Sequence, residues 1–248
     1  MYKTDGSVHH GGVKNEDQTI TILNELKIYS SPVEKRGGTT QKADAVAGDK
    51  QISIKRKEGI SNGSFDWFNT SKYNDVLGDT FNDFLSNVKE LRSLPKEILK
   101  DDEFVLKVRD NFNQLCELSL DTLNSEQIIN ILQRGLVDAN SGFDVVINDT
   151  KTSALYTFGA EQHPAVGYIN QGFTAVLQGK GKSSRKVLFS DGINLYDCGL
   201  RIRATSNNGI NAFLGLSKAN RNSQVVIKLQ QDNVKQLLTS TEAKEYVY

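Results

Sequence analysis

Hydrophobic positions along this chain recur in two rhythms. In residues 14–27, Ile20, Leu23 and Leu26 repeat at helical spacing, with Ile22 broadening the stripe, which predicts a first helix. A polar, glycine-rich arm, residues 1–11, precedes it, and a loop with Pro32 and Gly37-Gly38 follows over residues 29–41. The rhythm then shortens to two. Residues 43–47 and 51–56 read as strands joined by a tight turn at Gly48-Asp49, with Ile52 and Ile54 on one face and Gln51, Ser53 and Lys55 on the other. In residues 58–73, Asn62-Gly63 marks a turn, and Phe65, Trp67 and Phe68 suit core packing, while the Ser and Asn around them also suit a loop flanking substrate. Helical spacing returns through Val76, Phe81, Phe84, Leu85, Val88 and Leu91, and again from Phe104 to Cys116, broken by Pro95. Ser125 is placed to cap a helix over residues 126–136.

The last third changes character. Residues 143–147, 153–158, 172–178, 186–189, 199–204 and 224–229 are short strand-like runs divided by Gly, Asn, Asp and Ser. A helical turn is expected at 233–238 and a frayed tail beyond Thr239. The elements predict an α/β (mixed α+β) chain. They fit one domain over residues 1–248, with a helical block at about 73–136 and a basic, strand- and turn-rich part at about 143–230.

Composition narrows the classes. At 248 residues the chain can bury a sizeable core, and 24% charged with 38% hydrophobic residues is ordinary for a globular protein. No run approaches the eighteen apolar residues of a membrane span. The opening MYKTDGSVHHGG lacks the apolar core of a secretory signal, and two distant cysteines, Cys116 and Cys198, suit a reducing, intracellular compartment. Thirty basic and thirty acidic residues balance, which argues against coating nucleic acid by bulk charge. Distribution matters more. Lys50, Lys55, Arg56 and Lys57 cluster beside the hairpin, and Lys180, Lys182, Arg185 and Lys186 form a second group, followed by Arg201 and Arg203. Acids gather between Asp66 and Asp121. No nucleotide-binding glycine loop occurs, and His9-His10 and His163-Pro164 are too isolated for a zinc site.

The candidate chemistry sits on the hairpin. Asp44 opposite Ser53 and Lys55 would bring a carboxylate, a hydroxyl and an ammonium together. That is a minimal set for holding a hard cation and steadying charge at a phosphodiester. The same spacing also suits an exposed hairpin with a wet face. Leu200-Arg201-Ile202-Arg203 alternates, placing two guanidiniums on one face, and Asn207-Asn208 follows in a turn. Arginine forks match guanine edges and phosphates, and asparagine can read adenine.

Asp44, eight residues, then Ser53-Ile54-Lys55 resembles the PD-(D/E)XK nuclease family, with Ser53 where a second acid is usual. Gly12-Val13-Lys14-Asn15-Glu16 is similar to the opening of several type II restriction endonucleases that cut short palindromes, and Leu200–Arg203 is similar to a late segment of theirs. No proline precedes Asp44. The resemblance implies a restriction-endonuclease-like core, a central mixed sheet flanked by helices, and a Mg²⁺-dependent endonuclease acting on double-stranded DNA, with Mn²⁺ able to substitute. It implies Asp44, Glu16 and the carbonyl of Ile54 as metal ligands, Lys55 as the group positioning the attacking water, and Ser53 as a neutral oxygen. DNA would be contacted by Lys35, Arg36, Arg56, Lys57, Lys180, Lys182, Arg185, Lys186, Arg201, Arg203, Asn207 and Asn208. A homodimer on DNA and a cytoplasmic, prokaryotic or viral setting are implied too, with the acidic helices of residues 73–120 as the candidate interface. A junction resolvase or repair nuclease, and a DNA-binding protein with a decayed centre, are the alternatives.

Overall fold

The computed structural model describes residues 7–36, 43–57, 63–69, 86, 93–95, 103, 110, 114, 116–117, 120–137, 141–179, 184–206, 225–231, 237 and 242–248. In chain order these hold α1 (Ser7–Glu25), β1 (Val33–Lys35), β2 (Ala45–Ala47), β3 (Lys50–Lys57), β4 (Gly63–Asn69), α2 (Ser125–Leu132), β5 (Phe143–Asp149) and β6 (Ala154–Gly159). Then come α3 (Pro164–Asn170), β7 (Thr174–Gln178), β8 (Ser184–Ser190), β9 (Leu195–Ser206), β10 (Val225–Gln231) and β11 (Lys244–Val247). The chain divides into two compact units. One comprises Met1–Ser64, Leu136–Gln171 and Gln231–Tyr248, the other Phe65–Gly135 and Gly172–Gln230. Most of the expected helical block and the 233–238 turn lie outside the described residues. Among the described residues no helix is long and apolar enough to cross a membrane.

The first unit is built on a mixed sheet in the order β1-β2-β3-β5-β6-β11. β3 and β5 run parallel and the other neighbours antiparallel. The expected hairpin forms with Ala47 opposite Lys50, and Gly48 takes φ +64°, which a side chain would disfavour. Ile22 and Leu23 of α1 pack with Ala45, Ala47, Ile52, Ile54, Val146 and Leu155, so one helix stripe covers one sheet face. α1 starts at Ser7, so residues 7–11 are helix rather than arm. It ends with Lys27 in the left-handed region at φ 51°, where Ile28 N–H returns to Leu23 O at 3.2 Å.

Two other stretches read as loop and tail are strands. β1 is three residues long, too short to show a period. The Asn24 side chain brackets Val33 as a strand partner would, accepting from its N–H at 2.7 Å and donating to its carbonyl at 3.0 Å. β11 forms because β6 offers it an antiparallel edge. Behind it, Tyr248 Oη–H donates to Asn148 Oδ1 at 2.9 Å.

His163 is buried at the start of α3. Its Nδ1 accepts from Ala165 N–H, which leaves Nε2–H to donate to Gln231 Oε1 at 3.2 Å. Burial lowers its pKa from 6.5 to about 4, against a smaller opposing pull from Gln231. The unfolded chain therefore takes up a proton below about pH 6.5 that the folded chain refuses, and stability falls as the pH drops from there towards 4. The expected loss is about 2.5 kcal/mol between pH 7.5 and 4.5. Urea denaturation at both pH values should show that loss in the wild type, beyond what remains in His163→Asn. Equal pH slopes would remove the role.

The second unit carries a sheet in the order β4-β10-β9-β8-β7. β4 follows the expected turn at Asn62-Gly63 and carries the three aromatics. β7, β8 and β9 are antiparallel, with an irregularity between Lys186 and Leu188. α2 is capped by Asn124 rather than the expected Ser125: Asn124 Oδ1 accepts from Gln127 N–H at 2.9 Å, and Gln127 Oε1 accepts from Asn124 N–H at 3.0 Å. Ser125 Oγ instead accepts from Ala175 N–H at 2.9 Å, satisfying the outer edge of β7. Cys116 and Cys198 are both buried.

Candidate functional site

Asp44 stands just outside the ladder of the hairpin. Its own N–H donates to Ile52 O at 2.9 Å, while Arg36 N–H donates to its carbonyl at 3.1 Å, so both flanking strands fix its backbone. Its side chain is a hub. Oδ2 accepts from the Ile54 N–H at 2.7 Å, has the Ser53 hydroxyl at 3.4 Å and the Lys55 ammonium at 4.0 Å. Ser53 is only 3% exposed, and among the described residues its hydroxyl finds its partner in Asp44. Asp44 and Lys55 stay partly open to solvent.

Glu16 comes from α1. Its pKa is raised, first by partial burial and then by the negative charge of Asp44, with Lys35 pulling the other way and Asp17 adding to the rise. A partly buried carboxylate whose charge is disfavoured by a second one nearby is a setting that a cation relieves. Lys35 already stands there, 2.6 Å from Asp17 Oδ1 and 3.7 Å from Glu16 Oε2. Its pKa is raised by the hydrogen bond to Asp17.

The donor set is oxygen only, two carboxylates and a hydroxyl, which suits Mg²⁺ or Mn²⁺ rather than a soft metal. Among the described residues no group of three or more His, Cys, Asp or Glu could enclose a metal, so water and a bound phosphate would have to complete the shell.

The seam that seats α1 was not apparent from the helical stripe. Asn15 and Thr19 continue the stripe of Ile22 and Leu23, so its polar end faces the sheet. Thr19 donates to Asn15 O at 2.7 Å, and Asn148 Nδ2 donates to Thr19 Oγ1 at 2.9 Å, all buried. The four-residue spacing of Asn15 and Thr19 was the available signal. Among the described residues Asn15 Oδ1, which is buried, has no hydrogen-bond partner.

The expected DNA-contacting residues separate into groups. Arg36 is exposed next to Asp44, and Arg56 and Lys57 end β3 opposite Asn148 and Asp149. Arg201 and Arg203 alternate with buried Leu200, Ile202 and Ala204 on β9, and register places them on the face that carries Lys186. Lys186 donates to Asp197 at 2.7 Å. Arg185 is a correction. Expected to clamp a DNA backbone, it is 1% exposed and bonds Asp121 Oδ1 through Nη2 at 3.0 Å and Nε at 3.3 Å, so no phosphate can reach it. The alternation that sends Lys186 outward sends Arg185 inward. Lys180, Lys182, Asn207 and Asn208 lie outside the described residues.

Compared with known proteins, the chain matches no protein-family model, no curated protein and no solved structure.

Proposed function

We propose that this protein is a Mg²⁺-dependent endonuclease of the PD-(D/E)XK type, with a restriction-endonuclease-like core, hydrolysing phosphodiester bonds of double-stranded DNA at a short specific site. One observation carries the reading: Asp44, Ser53 and Lys55, separated by up to ten residues, meet at Asp44 Oδ2, with Glu16 within its electrostatic reach. A bare wet hairpin has no need to spend an aspartate on a buried serine and a backbone N–H while a helix presents a second acid.

Asp44 and Glu16 would hold the ion, with Ser53 Oγ and the Ile54 carbonyl as neutral oxygens. When bound, the ion supplies positive charge against the phosphate's developing negative charge and lowers the pKa of bound water. Lys55 orients the attacking water and steadies the charge that builds on the phosphoryl oxygens. Asp44 keeps Lys55 in place, and Ile54 N–H and Ser53 keep Asp44 in place. Ser53 brings no charge where the family has an acid, so half-saturation at millimolar Mg²⁺ is expected.

Arg201 and Arg203 are the residues assigned to base reading, and Lys186, Lys180 and Lys182 to the backbone. Two cuts in a palindrome call for two symmetry-related centres, hence a homodimer on DNA.

Purified protein should cut plasmid or phage DNA into discrete fragments with Mg²⁺ or Mn²⁺ and be inert with Ca²⁺ or EDTA. Sequencing the fragment ends gives the site and the cut position. No cleavage of diverse DNA across several Mn²⁺ concentrations, with DNA binding retained, would favour the second reading, a DNA-binding protein with a decayed centre in which Ser53 stands where the family has an acid.

A further inference from the structure

We propose that Lys35 is a resident cation on the Glu16 carboxylate, competing with a divalent metal ion and so lowering the affinity of the site for it; the inference rests on the metal-dependent reading above. Lys35 lies on β1, outside the hairpin that carries the other groups. It does not drift in from solvent. β1 is pinned to α1 by the Asn24 bracket on Val33, and Val33 shares one core with Ile22 and Leu23. The two elements that carry Lys35 and Glu16, β1 and α1, thus share one packed contact.

The ammonium has two partners of unequal grip. Asp17 is the tighter at 2.6 Å and more open to solvent, whereas Glu16 lies at 3.7 Å and is more sheltered. A metal ion drawing Glu16 towards Asp44 breaks only the longer contact, and Asp17 retains the lysine. Exchange therefore leaves no charge unpaired. Its cost is that the ion must work against a positive charge a few ångströms from one of its ligand oxygens. Without the ion, the same lysine offsets the repulsion between Glu16 and Asp44. The pair is partly exposed, so water and salt weaken the competition and confine it to a modest factor.

The experiment is a titration of the full-length protein with Mn²⁺, free ion being counted by electron paramagnetic resonance at low fixed ionic strength and without DNA. Lys35→Met should bind Mn²⁺ about three- to tenfold tighter than the wild type, as expected for removing one partly screened like charge. Lys35→Arg should bind as the wild type does. Lys35→Met combined with Asp17→Asn should stay tighter than Asp17→Asn alone, because the competition acts at Glu16. Thermal melts establish that each variant is folded. Wild-type binding that Lys35→Met leaves unchanged or weakens overturns the role of Lys35 while the nuclease reading stands. Tightening lost in the Asp17→Asn background overturns it too, since the freed Asp17 would then be the ligand. Wild-type binding no stronger than that of Asp44→Asn overturns the metal site itself, and the inference with it.

Discussion

Asp44→Asn should lower the cleavage rate by roughly a thousandfold or more, while DNA binding measured in Ca²⁺ changes little. The amide is nearly isosteric and its oxygen can still accept from Ile54 N–H, now 2.7 Å from Oδ2, so the hairpin keeps its shape. What disappears is the charge that would hold the ion and that keeps Lys55 at 4.0 Å. Removing one preorganised electrostatic group from such a centre typically costs 10²–10³ in rate, and losing a metal ligand adds to that. Lys55→Ala should lose cleavage as completely, with binding again largely kept, if Lys55 serves the chemical step as proposed and not docking. Ser53→Ala should be milder, since a neutral oxygen leaves. Single-turnover rates on supercoiled plasmid, with anisotropy for binding and a thermal melt for folding, make the check. Wild-type cleavage by Asp44→Asn would show that the centre lies elsewhere.

Asp121→Ala should destabilise the protein by about 3 kcal/mol. It strands the Arg185 guanidinium, which is almost fully buried and among the described residues would keep only the Glu117 carbonyl, at 3.4 Å. Nη1 already lacks a partner among the described residues. Breaking a buried pair by removing one member costs about 3–5 kcal/mol, and the partial exposure of Asp121 places this case at the low end. Replacing both members should cost less than removing the acid alone, because the desolvated charge goes too. Urea denaturation of Asp121→Ala, Arg185→Met and the double variant tests this directly. A double variant less stable than Asp121→Ala would refute the account. Arg185→Met should also leave the salt slope of DNA binding unchanged, as befits a guanidinium that no phosphate reaches.

Much of the local structure was legible in the sequence because it is set by neighbours in the chain. The hairpin follows from alternation around Gly48-Asp49, and α1 from its stripe of Ile20, Ile22 and Leu23, although the helix stops at Glu25 and leaves the expected Leu26 exposed. The strands of the last third fall where β-rich runs end in turn residues. Alternation along β9 also assigned Leu200 and Ile202 to one side and Arg201 and Arg203 to the other. The grouping of Asp44, Ser53 and Lys55 on the hairpin was legible for the same reason, since antiparallel register converts sequence distance into spatial distance.

The rest was decided by partners far away in the chain. β1 and β11 carry no period of their own and become strands because Asn24, β2 and β6 satisfy their backbones. Arg185 belongs by composition to a basic cluster, yet the pleat turns it inward beside Asp121, and a single strand cannot say which face will be covered. Lys35 reads from the sequence as a loop cation. Seating α1 on the sheet through Thr19 and Asn148 brings Glu16 and Asp17 to it. Sequence thus determined which side chains were available and the local period that presents them. Only tertiary packing decided which charges were left to meet a ligand, because pairing depends on distances that chain order does not encode.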